Sequence, residues 1–160
     1  MAESNPATLQ AMEINHPVSS AIHHKDRELW WISPEATVFA AIEMMCEKNV
    51  GALLVMEDDK LVGLVSERDY TRNVALKGKS SRETPVREIM CTEVSCVSPQ
   101  HSVDKCLHIM TEERIRHLPV MEDGRVIGII SIGDLVKWII SAQNVMIEQL
   151  DHYIMGSYPV

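Results

Sequence analysis

Gly63, Ser66 and Asp69 follow one another at intervals of three residues, directly after a run of apolar side chains. Gly128, Ser131 and Asp134 repeat the arrangement 65 positions later (128 − 63). Each residue type has a use at that spacing. A glycine lets a ligand approach the backbone closely. A serine where a strand gives way to a helix can cap the helix, or bond a ligand through its hydroxyl. The helix start attracts anions through unpaired N–H groups and the macrodipole. An aspartate one turn in can accept two hydrogen bonds from a vicinal diol, such as a ribose presents. The competing reading is structural: Ser with an acid three residues on is also a way to begin a helix, with Asp acting as the Glu of a capping box does. Two copies at equivalent positions, each after an apolar strand, favour a ligand site.

The motif ends a longer repeat. Residues 32–70 align with residues 97–135 without a gap, matching Ser33-Pro34 to Ser98-Pro99, Val38 to Val103, Met45 to Met110 and Val55-Met56-Glu57-Asp58 to Val120-Met121-Glu122-Asp123. A repeat of this kind governs the fold and is read first. Two copies are too few for a solenoid and suit two half-sites closing about a pseudo-twofold axis. In each copy a helix carries an apolar stripe, Val38, Ala41, Ile42 and Met45 or Val103, Cys106, Leu107 and Met110, at i, i+3, i+4, i+7 spacing. Thr37 and Ser102 can cap these helices. Two short apolar strands follow, joined by an acidic or Asp-Gly turn, as in a β-hairpin. A second helix begins near Glu67, and near Ile132 in the other copy, where it extends to about Ile154. Pro17-Val18 and Pro85-Val86 head short entry helices, the latter with Thr84 as its cap and Pro85 in the first helical position. The predicted fold class is α/β in the α+β sense, each copy a small sheet with flanking helices. The organisation is an N-terminal arm at 1–15, a first repeat at 16–76, a polar linker at 77–83, a second repeat at 84–144 and a C-terminal helix and tail at 145–160.

Composition narrows the function. The 160 residues carry a formal net charge of −8, which opposes a broad nucleic-acid interface. A small anionic ligand needs only two or three placed cations. No run of about 20 apolar residues is present, so no membrane-spanning helix is expected, and the first residues lack a signal-peptide pattern. Cys46, Cys91, Cys96 and Cys106 form no C-x-x-C pair, which points to reduced thiols in the cytoplasm and away from zinc. Cys46 and Cys106 are expected to be buried. Paired catalytic carboxylates and a Cys–His nucleophile are not apparent, so no catalytic residue and no metal ligand is assigned.

These residues resemble a tandem pair of cystathionine-β-synthase (CBS) domains, the Bateman module. The resemblance rests on both Gly-x-x-Ser-x-x-Asp motifs, both Ser-Pro starts and the Leu118-Pro119-Val120 strand, and it covers about residues 17–140. It implies a regulatory module binding AMP, ADP or ATP, with NAD(H) as the alternative and S-adenosylmethionine as an occasional ligand of the family. It implies that Asp69 and Asp134 hold ribose hydroxyls and that Ser66 and Ser131 assist at ribose or phosphate. Arg116 and His117, just before the second repeat's strand, are implied to reach phosphate in the site of Asp69. Their equivalents in the first repeat, Gly51 and Ala52, carry no charge. Arg68 precedes Asp69 whereas Gly133 precedes Asp134, so the two sites are expected to differ. Thr37, Gly63 and Gly128 complete the candidate ligand-binding set. The resemblance further implies a homodimer and a regulated partner protein that the sequence does not name.

Other features take plainer readings. His23-His24 reads as a solvated loop. Trp30 and Trp31 read as packing the first helix onto the sheet. The last helix, with Leu135, Ile139, Ile140, Val145, Ile147, Leu150 and Ile154, carries more apolar surface than one small core needs, which suggests a dimer interface.

Overall fold

The computed structural model describes residues 15–22 and 28–156. His23-His24, and all but the last residue of the 1–15 arm, lie outside the described residues. The described elements are α1 (Ser19–Ile22), β1 (Trp31–Ile32), α2 (Val38–Lys48), β2 (Ala52–Glu57), β3 (Lys60–Ser66), α3 (Glu67–Tyr70), α4 (Val103–Glu112), β4 (His117–Glu122), β5 (Arg125–Ser131) and α5 (Ile132–Gly156). A π-helical turn at Thr71–Ala75 prolongs α3, and a 3₁₀ turn spans Val86–Glu88. The mixed helices and small sheets are the α+β arrangement the sequence predicts.

The two copies repeat their local chemistry closely. Thr37 Oγ1 accepts from Ala40 N at 3.1 Å, and Ser102 Oγ accepts from Lys105 N at 3.1 Å. Each hydroxyl thereby satisfies an N–H that the helix start leaves without a partner. Val38, Ala41 and Met45 of α2 are buried, as are Val103, Cys106 and Met110 of α4. Just past these helices the chain turns left-handed, at Asn49 (φ 52°) and Arg114 (φ 55°). The hairpin turns also match, with Asp58 and Asp59 at φ 48° and 60° and Asp123 and Gly124 at 50° and 75°. Two successive positive φ values give the primed turn whose twist suits a hairpin.

Sequence patterning missed one strand. β1 pairs parallel to β2, Trp31 with Leu54 and Ile32 with Val55. Its counterpart is a single parallel bridge between Val97 and Val120. At two residues, β1 is too short to show an alternation. Trp30 packs against the core around Ile32, Val38, Met45, Leu53 and Val55, while Trp31 is exposed. Only the first tryptophan therefore has the packing role expected of both. Cys106 is buried, but Cys46 lies on the exposed face of α2.

The entry segments do not stay with their own repeats. Val18 N donates to His101 O (2.7 Å), Ser19 N to Pro99 O (3.0 Å) and Val103 N to His16 O (2.9 Å). Likewise Val38 N donates to Thr84 O and Phe39 N to Ser81 O, both at 2.9 Å, and Val86 N donates to Ala36 O at 2.8 Å. Each helix start thus gains carbonyl partners from the other repeat's entry segment. Two compact units result, one of residues 15–22, 98–116 and 130–156, the other of residues 28–97 and 117–129. Thr84 is buried and its hydroxyl donates to Ser80 O at 2.7 Å. Pro85, not Thr84, holds the cap position of the short 3₁₀ turn.

Candidate functional site

Both motifs place their serine and aspartate at a junction of strand and helix. Ser66 is extended (φ −128°, ψ 164°) and caps α3. Asp69 Oδ2 accepts from Ser66 N at 2.8 Å and from Ser66 Oγ at 2.7 Å, and Ser66 Oγ accepts from Asp69 N at 3.3 Å. The second copy matches: Asp134 Oδ2 accepts from Ser131 N at 2.9 Å, and Ser131 Oγ accepts from Asp134 N at 3.1 Å. The capping arrangement is therefore present in both copies. It accounts for one carboxylate oxygen of Asp69. Oδ1 of Asp69 has no protein partner among the described residues. Capping and ligand binding are compatible, because the cap fixes the carboxylate's orientation and leaves an acceptor over.

A second contact fixes the start of the preceding hairpin beside each helix. Glu67 N donates to Gly51 O at 3.1 Å, and Ile132 N donates to Arg116 O at 2.9 Å. Gly51 and Arg116 are equivalent positions of the repeat. A Cβ built on Gly51 would lie 3.4 Å from His117 Cε1, 3.6 Å from His117 Nε2 and 3.9 Å from Glu67 Oε2. The His117 imidazole therefore covers Gly51 at the start of α3, in the same compact unit as Ser66 and Asp69. The sequence reading paired His117 with this site but overlooked Glu67, whose carboxylate lies on the same patch. The signal was its place directly after the capping serine, at the first position of α3.

The remaining candidates are distributed as follows. Arg68 and Arg116 are exposed. Ser131 and Asp134 are half-buried at the start of α5. Thr37 is half-buried and serves as the cap of α2. Gly128 is buried in β5. Gly63 needs its missing side chain for a reason other than ligand approach. A Cβ there would meet Met90 Sδ at 2.8 Å and Cys91 O at 2.9 Å. That carbonyl is held in place, because Leu64 N donates to Cys91 O (3.0 Å) and Cys91 N donates to Leu64 O (2.9 Å). The protein itself fills the space beside Gly63.

Burial pushes the Cys106 thiol up to about 11, with Lys105 pulling weakly the other way, and burial also raises Cys96. Neither is a poised nucleophile. Among the described residues no group of three His, Cys, Asp or Glu could hold a metal, and no helix is long and apolar enough to cross a membrane.

The family profile of the CBS domain matches residues 20–76 and 86–141. The chain belongs to the CBS-domain family. The profile thus covers two CBS domains, each ending with one of the two capped junctions. A protein of Arabidopsis thaliana, the CBS domain-containing protein CBSX3, mitochondrial, is 34% identical over 162 aligned residues that cover 98% of this chain and 79% of the relative. Among solved structures, a protein with CBS domains from Burkholderia ambifaria superposes with a TM-score of 0.77 at 45% identity, covering 79% of this chain and 95% of that one. The CBS pair of protein MJ0100, solved with 5′-methylthioadenosine and S-adenosyl-L-methionine, shares the fold with a TM-score of 0.67 at 22% identity, covering 76% of this chain and 94% of that one.

Proposed function

We propose that this CBS pair is a regulatory module that binds an adenine nucleotide, AMP, ADP or ATP, and signals cellular energy state to a partner protein. The observation that carries this reading is the carboxylate of Asp69, held by two donors of Ser66 through one oxygen while the other stays available. A ribose diol is the chemical complement of such an acceptor. Asp134 and Ser131 form the equivalent half-site. Arg68 and the His117 ring, in the same compact unit as Asp69, offer donors for phosphate, whereas the second copy has Gly133 in place of Arg68; Arg116 lies beside the start of α5, in the unit of Asp134. Binding and release require no nucleophile, so the reading assigns no catalytic step. The exposed apolar face of α5 provides for a homodimer, and the reduced thiols suit the cytoplasm.

Calorimetric titration with adenosine, AMP, ATP, NADH, S-adenosylmethionine and UMP tests the reading. The adenine nucleotides should bind and UMP should not. Arg68→Ala should weaken AMP while leaving adenosine nearly unchanged, because only the phosphate meets that cation. Tightest binding by NADH would turn the module into a redox sensor of the same fold. Absence of binding by every adenine compound would refute the proposal.

A further inference from the structure

The last helix carries two apolar stripes, and only one is used within its own unit. Leu135 is fully buried, and Trp138, Ile139, Ala142 and Met146 are half-buried on the same side. Trp138 meets the ring of His16 with centroids 5.5 Å apart. The second stripe runs through Val136, Ile140, Gln143, Ile147, Leu150 and, by sequence, Ile154. Val136, Ile140, Ile147 and Leu150 are 46%, 53%, 56% and 53% exposed. Their spacing alternates between four and three residues, which is the heptad seam of a coiled coil. In heptad terms Ile140, Ile147 and Ile154 take position a, and Val136, Gln143 and Leu150 take position d. The family match ends at residue 141, so most of this seam lies beyond the CBS domains.

We infer that this stripe pairs with the same stripe of a second copy, with the two helices antiparallel. The inference rests on the homodimer in the reading above and specifies its seam. Flanking charges choose the direction. In an antiparallel pair, position e of one helix faces position e of the other. Setting Ile140 against Leu150 of the second copy also sets Gln143 against Ile147. The same register places Lys137 opposite Asp151 of the second copy, twice by symmetry. Both residues are exposed. In a parallel pair, position e would face position g, which is occupied by Ile139, Met146 and Tyr153. Lys137 would then find no acid, and Gln143 would meet its own copy. Within one helix Lys137 and Asp151 are 14 residues apart (151 − 137), about 21 Å at 1.5 Å per residue, so they cannot pair in the same chain. An isologous contact of this kind closes on itself as a dimer.

Sedimentation equilibrium on the full chain, with Lys137→Glu, Asp151→Lys and the double reversal, tests the pairing. Each single reversal puts two like-charged pairs across the seam and should weaken the dimer about tenfold. The double reversal should restore it to near the wild-type Kd. Singles that leave the dimer unweakened, or a double variant no tighter than the singles, would overturn the antiparallel seam, and so would a monomeric wild type. Neither residue belongs to the nucleotide site. Calorimetry on the same variants should show unchanged AMP binding, which separates failure of the seam from failure of the ligand reading.

Discussion

Replacing Asp69 by alanine separates what the carboxylate does for the fold from what it does for a ligand. The fold loses the acceptor of two hydrogen bonds, from Ser66 N and Ser66 Oγ. The loss falls on a partly exposed helix start, where a cap is worth about 1 kcal/mol. In a chain of this size that corresponds to a drop of about 2–4 °C in Tm. The ligand loses a charged acceptor for its ribose, and hydrogen bonds to a charged group contribute about 1.5–3 kcal/mol. Affinity for AMP should therefore fall about tenfold to a hundredfold. Asp69→Asn keeps a side-chain oxygen for Ser66 N but removes the charge, so it should preserve most of the Tm while still weakening AMP. Differential scanning calorimetry gives the first quantity and isothermal titration the second. If Asp69→Ala lowers the Tm as expected while AMP binds with wild-type affinity, the carboxylate is a helix cap and nothing more, and the ligand argument fails.

Two further outcomes follow from packing. Gly63→Ala forces a methyl group to within 2.8 Å of Met90 Sδ and 2.9 Å of Cys91 O; overpacking of this kind costs about 1–3 kcal/mol, whereas Gly51→Ala, with its nearest neighbour at 3.4 Å, should be tolerated, as chemical denaturation of the two variants can show. Cys106 is fully buried, so a chromogenic disulfide reagent should label it only after unfolding, while Cys46 and Cys91 react in the native protein. Its thiol is raised from 9.0 to about 11 in the folded state. The unfolded chain therefore releases this proton first, and the stabilisation present below pH 9 should be lost as pH rises through that window. Labelling of Cys106 in the native state as fast as Cys91, or stability that does not decline there, would contradict its burial.

Much of the fold is legible because the repeat supplies each signal twice. The caps at Thr37 and Ser102, the buried stripes of α2 and α4 and the matched hairpin turns all depend on contacts within a few residues, which residue type and spacing encode directly. The exchanged entry segments are not local. Pro85-Val86 pairs with Ala36 and Thr37 rather than with the helix that follows it, and nothing in either segment names its partner. The same limit applies at the candidate site. Ser66 and Asp69 can be found from their spacing, since capping is a three-residue relation. His117 was suggested only by resemblance, as a phosphate contact; its ring over Gly51 and the neighbouring Glu67 were missed, because 50 residues separate Glu67 from His117 (117 − 67). Gly63 was read as room for a ligand, but the space beside it is taken by Met90 and the Cys91 carbonyl, a contact that no local pattern announces.

A structure of the protein crystallised with AMP tests the central claim most directly. The ribose 2′- and 3′-hydroxyls should lie within about 3 Å of the Asp69 carboxylate, on the oxygen that Ser66 leaves available, with the phosphate turned toward His117. AMP bound away from both Asp69 and Asp134, or a crystal grown in saturating AMP with the junctions of β3 with α3 and β5 with α5 unoccupied, would contradict it.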